Sequence, residues 1–359
     1  MNLSFAKGTL LLAVLGGMWC WSCQSSGKKE VSFSLSTIYA TSLREQPDEK
    51  SRELRQLPVG VALADDGEVS RFLSGILLAD SLRQEPWLRV QTQDGHSGWV
   101  FAAAVQPVAG DAAGRRRWLL SKRFEAWFGP VLARRWQRWW EMPEPPTDSL
   151  FALQLREGIT LRDTLNLLIS RKVTRDAENP FPDFFWLSEV SPFFIGQQVA
   201  QGTGFYLFLD YCAIGRQAQR TAGAQDDRFA AVGFMAYPAD SIESPLPAWV
   251  FPLNAEESYS NLGQGQHLAM LQQLGSALAA GHLFRPELLR LKESVLDDFL
   301  QKDRRFWQPR EKILAELEAI RRAAPGCLSE RDWLAIEAQQ AVFQQADAGG
   351  LKLNLRAGE

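Results

Sequence analysis

Glu85-Pro86-Trp87-Leu88-Arg89-Val90-Gln91-Thr92-Gln93-Asp94-Gly95-His96-Ser97-Gly98-Trp99-Val100 decides the first part of the fold. It reads as two short strands joined by a tight Asp-Gly turn, with a tryptophan on each strand. Asp94-Gly95 supplies the positive φ that a hairpin turn requires. Gly98 lets the backbone pass close to a neighbouring strand. Such a unit is the closing hairpin of a small β-barrel. A small barrel near the N-terminus points to recognition rather than catalysis.

Upstream, residues 31–107 hold further short apolar runs separated by turn residues, the pattern of a small all-β unit. Ser36–Leu43 and Pro58–Leu63 precede Trp87–Val90 and Gly98–Val100. The order and spacing of Arg44-Glu45-Gln46-Pro47, Leu54, Leu57, Gly60, Trp87–Val90, Asp94-Gly95 and Gly98-Trp99-Val100 resemble the bacterial SH3-like (SH3b) domain. The resemblance covers about a fifth of the chain. It departs from the family at residues 64–86, a connection longer than usual, which leaves room for an extra strand pair or a turn of helix. The resemblance implies a non-catalytic targeting module, with peptidoglycan or an envelope protein as partner. Trp87 and Trp99, with Tyr39 and Asp94, are the candidate ligand contacts. The competing reading puts Trp87 in the core and packs Trp99 across strands.

The first residues suggest a compartment. Met1–Lys7 is short with a single positive charge, and Thr9–Met18 is apolar but too short to span a bilayer. This is the pattern of a secretory signal, residues 1–22. Ser22-Cys23 resembles the lipobox of bacterial lipoproteins, which implies lipidation at Cys23, although Cys20 and Trp21 are atypical of that motif. Residues 23–30 then form a polar tether. The resemblance implies a lipid anchor in the bilayer and a place in the cell envelope, on the periplasmic face of the outer membrane.

Residues 108–149 form a basic, tryptophan-rich connector. Between Arg115 and Trp140 there are eight Lys/Arg and one acid. Leu120, Phe124, Trp127 and Val131 recur at helical spacing, and Gly129-Pro130 splits the helix. One reading lays this segment on anionic lipid through Arg115, Arg116, Arg117, Trp118, Arg134, Arg135, Trp136, Trp139 and Trp140. The other docks the stripe between the barrel and the next domain.

Residues 150–359 read as an α+β domain with antiparallel strands followed by C-terminal helices. Thr160–Asp163 and Ser329–Asp332 fit capping boxes. Thr203–Ile214 and Phe229–Tyr237 read as neighbouring antiparallel strands, with Ala248–Phe251 as a third. Helices follow at 264–280, 286–302, 309–323 and 330–346. The expected class is thus multidomain, an all-β SH3-like barrel followed by α+β.

Catalytic signatures are sparse. Three histidines, at 96, 267 and 282, show no metal-ligand spacing, so no metal or cofactor is expected. His267 and His282 fall on a Leu/Ala helix as packing or surface residues. Cys212 reads as mid-strand, the wrong place for a nucleophile activated by a helix dipole. Asp210 is the odd polar residue of that run. No Gly-x-Ser-x-Gly, phosphate loop or dinucleotide fingerprint occurs. A formal net charge of -3 gives no bulk attraction to nucleic acid. The expected protein is a non-catalytic lipoprotein that binds or tethers at the envelope. An enzyme with its site in 150–359, or a membrane-surface binder acting through 115–140, are the alternatives.

Overall fold

A computed structural model describes residues 32–172, 182–199, 204–243, 246–253, 257–301, 304–345 and 352–353. The signal segment 1–22, Cys23 and the tether 23–30 lie outside the described residues. The fold is mixed α+β, a large antiparallel sheet with helices. No helix among the described residues is long and apolar enough to cross a membrane.

The chain opens with nine strands: β1 (Leu35–Thr37), β2 (Thr41–Arg44), β3 (Glu53–Leu57), β4 (Ala62–Val69), β5 (Ser74–Leu78), β6 (Ser81–Glu85), β7 (Trp87–Thr92), β8 (Ser97–Phe101) and β9 (Val105–Pro107). Seven of them form one antiparallel sheet in the order β3-β2-β8-β7-β4-β1-β9. Its ladder does not close into a barrel: β3 and β9 are its edges. β7 and β8 pair through Trp87↔Phe101 and Val90↔Gly98, the hairpin the Asp-Gly step calls for. Gly95 has φ 88°. A Cβ on Gly98 would stand 2.7 Å from the Arg44 carbonyl, so the close strand approach excludes any larger residue.

Alternation sorts the hairpin into two faces. Leu88, Val90 and Val100 join Leu35, Leu43, Leu57 and Leu63 in one buried cluster. Trp87, Trp99 and Phe101 form a second cluster on the opposite face. The 64–86 insertion explains how that face stays dry. β4 runs on to Val69, and β5 and β6 then make a separate two-stranded ribbon. Ile76 of the ribbon packs on the tryptophan cluster, and the Trp87 Nε1–H donates to Ser74 Oγ at 2.8 Å.

The connector is two helices, α1 (Ala112–Phe128) and α2 (Pro130–Trp140), broken at Gly129 as expected, where φ is 86°. α1 faces both halves of the chain. Ala126, Trp118 and Leu119 pack on the sheet core, while Leu120 and Phe124 belong to the larger core beyond. Two ion pairs add to this contact: Lys122 with Asp65 at 2.9 Å, and Arg123 with Glu85. The Arg123 guanidinium also lies 5.5 Å from the ring centre of Trp186.

The second half is built on α3 (Asp148–Lys172), the hairpin β10 (Phe194–Val199) and β11 (Gly204–Leu209), then α4 (Tyr211–Ala218) and α5 (Gln225–Ala236). After β12 (Val250–Pro252) and β13 (Ser258–Ser260) come α6 (Gln266–Ala280), α7 (Arg285–Leu300), β14 (Arg305–Phe306), α8 (Arg310–Ala323), α9 (Glu330–Gln344) and β15 (Lys352–Leu353). β12 to β15 form a small sheet of mixed direction. The four C-terminal helices follow the sequence reading closely, and the Ser329–Asp332 capping box is present.

Three local expectations are corrected. The strand over 203–214 ends at Leu209. Asp210 accepts from the Ala213 N–H at 2.9 Å and caps α4, so the apolar Tyr211–Ile214 run is helix. Phe229–Tyr237 is not a strand but lies mostly in α5. Its exposed face carries Ala231 and Phe234, so beyond Arg228 no polar residue marks its period, and Gly233 lets the Tyr211 ring lie against it. Thr160 caps nothing: it sits inside α3 and its hydroxyl donates to the Arg156 carbonyl at 3.0 Å.

Candidate functional site

The four candidate ligand contacts of the β unit meet different fates. Trp87 is 2% exposed and Trp99 9%, and the Trp87 ring meets Phe101 edge-on at 5.8 Å. With the ribbon over them, neither offers a platform to a ligand. Asp94 is exposed but committed to its own turn. The Thr92 hydroxyl, Arg55 and His96 all bond its carboxylate and hold it well below the usual carboxylate range. Arg55 lies on β3, so Asp94 ties the hairpin turn to the edge strand.

Tyr39 is the exception. It is 37% exposed at the β1–β2 corner, beside Ile38 at 36%. Hydrogen bonds from Thr37 to the Pro58 carbonyl (2.6 Å) and from Gly60 and Val61 back to Thr37 join this corner to the 58–61 turn. Val59 stands 64% exposed on that turn. Gly60, with φ 87°, makes the turn possible. Ile38, Tyr39 and Val59 therefore project from two corners that are bonded together.

The basic segment divides by residue type. Trp136 and Trp139 are 2% and 1% exposed, donating to the Val190 and Gln154 carbonyls at 2.9 and 2.8 Å. Trp118 and Trp140 are half-buried. Trp136 and Trp139 thus pack the interior, and Trp118 and Trp140 lie partly against it. The arginines stay outside. Arg116 binds Glu189 through two bonds of 2.7 Å, and the pairing holds the Glu189 carboxyl below its ordinary value. Arg135 pairs with Glu157 at 2.8 Å, while Arg115, Arg117 and Arg134 are exposed.

A cleft in the second half has no marker in the chain's motifs. It has a volume of about 530 Å³ and lies between α7, the start of β12 and Arg304. One face of α7 supplies Arg290, Glu293, Asp297 and Asp298, and Trp249 backs the opposite wall. Asp298 is nearly sealed off and held from two sides. His267 Nε2 is 2.9 Å from its Oδ2, and Arg304 pairs with its Oδ1. Arg304 also donates to Ser258 Oγ at 3.0 Å. His267 lies on α6 and is 0% exposed, whereas His282 falls past the end of that helix, at the surface. The His267–Asp298 pair has the residue types of a catalytic dyad, but its imidazole cannot touch a ligand in this arrangement. Glu293 and Asp297 face solvent and form no ion pair among the described residues. The polar stripe at 290, 293 and 297 has helical spacing, whereas His267 and Asp298, 31 residues apart, meet without any such signal.

Cys212 needs a second correction. It lies in the first turn of α4 rather than in a strand, so the placement argument against it no longer applies. Cys212 and Cys327 are both free thiols, and burial pushes the Cys327 thiol up. Neither is bonded to a histidine among the described residues. No group of three or more His, Cys, Asp or Glu among those residues could hold a metal ion. No protein-family model, curated protein or solved structure matches this chain.

Proposed function

We propose that this protein is an envelope lipoprotein, anchored through Cys23, whose β unit is a divergent SH3-like module that binds peptidoglycan or an envelope protein without catalysing a reaction. The observation that carries the reading is the exposed corner of Ile38, Tyr39 and Val59, an aromatic and two aliphatic side chains held outward by bonded turns. Gly60, Gly95 and Gly98 occupy the positions where the SH3-like pattern places its turns and close approach, with the backbone each requires. Retention of the chain from Gln24 to Glu359 on purified peptidoglycan tests the binding. Tyr39→Ser with Val59→Ser abolishes retention if the corner is the site, and unchanged retention removes it. Mass spectrometry of the mature N-terminus tests the anchor: an unmodified Cys23 ends the lipoprotein reading.

A second reading has one observation in its favour. The cleft beside α7 gathers Glu293, Asp297 and Asp298 within one open cavity. An enzyme or small-ligand site in the second half would be built there.

A further inference from the structure

β11 pairs with β10 on one side only, and side chains close part of its other edge. The Asn166 amide, on α3, donates to the Leu207 carbonyl at 3.1 Å and accepts from the Leu207 N–H at 2.9 Å. Glu243 Oε2 accepts from the Leu209 N–H at 3.2 Å and from the Arg162 guanidinium at 2.5 Å. Along this edge runs an open cavity of about 490 Å³, within the ordinary size of small-ligand pockets. Arg162, Asn166, Tyr206, Phe208, Tyr237 and Glu243 line it.

One part of the lining is aromatic. Tyr206 and Phe208 share the outer face of β11, with ring centres 6.2 Å apart, and Tyr206 is 38% exposed. The other part is polar and already fixed. Arg162 is 8% exposed and bonded to both Asp163 and Glu243, so within the lining its charge is cancelled by Glu243. Tyr237 is also 8% exposed, and its hydroxyl makes no hydrogen bond among the described residues. Burial pushes that hydroxyl further above the ordinary phenol range, so it stays protonated and can donate as well as accept. Glu243 Oε1 likewise has no hydrogen-bond partner among the described residues.

These groups select among ligands. An acidic ligand would find no cation that is not already spent on a carboxylate. A purely apolar one would cover the Tyr237 hydroxyl and the Glu243 carboxylate without replacing their bonds to water, which costs free energy. A neutral ring carrying hydroxyl groups around a C–H face satisfies both parts. Its C–H groups meet the electron-rich aromatic faces, and its hydroxyls donate to Glu243 and accept from Tyr237. We propose that this cavity binds a neutral saccharide. Because Asn166, Arg162 and Glu243 are held in place by their own bonds, little ordering is left to be done on binding. The site lies in the second half of the chain and rests on neither the SH3-like nor the lipoprotein reading.

Saturation-transfer NMR on the chain from Gln24 to Glu359, with chitotriose and maltotriose as probes, tests it. At least one trisaccharide should bind saturably. Tyr206→Thr keeps strand propensity at an exposed position and should weaken that binding about tenfold at unchanged Tm. Tyr237→Phe removes only the hydroxyl and should weaken it about threefold to tenfold. Absence of transfer to both trisaccharides overturns the proposal, as does binding that both variants leave unchanged. Transfer to spermidine and to neither sugar also overturns it and assigns the cavity to a cationic ligand. The corner at Tyr39 and Val59 is intact in both variants, so failure here leaves the peptidoglycan test of that corner standing.

Discussion

Arg123→Met tests how the two halves of the molecule are joined. Arg123 reaches from α1 to Glu85 of β6, whose side chain is only 4% exposed, and stacks on Trp186 of the second half. Burial raises the Glu85 carboxyl above its ordinary value, outweighing the hydrogen bond and charge of Arg123. Methionine keeps much of the packing volume but leaves Glu85 without its partner. Breaking one side of a buried pair costs about 3–5 kcal/mol, and losing the cation–π contact about 1 kcal/mol more. Glu85 can escape by taking up a proton, which limits its cost to about 1.4 kcal/mol per pH unit above its folded pKa. A folded pKa above the unfolded one gives stability that is present below the unfolded pKa and lost as pH rises through the folded one. In the variant the folded pKa rises further, so the deficit is largest near pH 8 and shrinks toward pH 5, leaving the cation–π and packing part. At about 2 °C per kcal/mol for a chain of this size, Tm should fall by about 8 °C at pH 8 and by about 2 °C at pH 5. Glu85→Gln with Arg123→Met should recover most of the difference. Equal deficits at both pH values, or a double variant as unstable as Arg123→Met, would refute the reasoning.

Asp226 is fully buried in α5, bonded to the Thr221 hydroxyl, and burial raises its carboxyl. Wild-type stability from this group is thus lost as pH rises through the folded pKa, so Asp226→Asn should raise the urea midpoint at pH 7 and leave it unchanged at pH 3. Gly233→Ala would gain about 1 kcal/mol of helix propensity, but its methyl would stand 1.9 Å from the Tyr211 ring; calorimetry should show a net loss of about 2 kcal/mol or more. Glu316 accepts from the Gly263, Gly265 and Leu268 N–H groups at the start of α6, so Glu316→Ala should cost about 2–4 kcal/mol in urea unfolding and speed amide exchange in that turn.

The sequence was legible where a pattern carried its own geometry. Asp94-Gly95 between alternating strands can hardly be anything but a hairpin, and Gly129-Pro130 could only divide a helix. Reading failed where burial erased the pattern. Tyr211–Ile214 and Phe229–Tyr237 are apolar at buried and exposed positions alike, Ala231 and Phe234 among the latter, and a short apolar run has no period to separate strand from helix. Asp210 carried the missing signal, since an aspartate before an apolar run is a helix cap as readily as a strand end. The cleft escaped for a different reason. Asp298, His267 and Arg304 meet only through tertiary folding, and no spacing in the chain encodes that meeting.

The tryptophans show how the insertion alters the function a hairpin can have. Alternation places Trp87 and Trp99 on one face of β7–β8, where a bare sheet face would leave them exposed. Residues 64–86 fold back as β5–β6, bury both rings under Ile76 and bond Trp87 to Ser74. A ribbon that seals one surface must present another, and the face it turns outward is Leu77 and Leu82 rather than two indoles. The apolar surface withdrawn from the hairpin thus has a counterpart on the outer face of its cover. What the β unit leaves exposed is the Ile38–Tyr39–Val59 corner and the outer face of the ribbon, and not the tryptophans that first mark the fold.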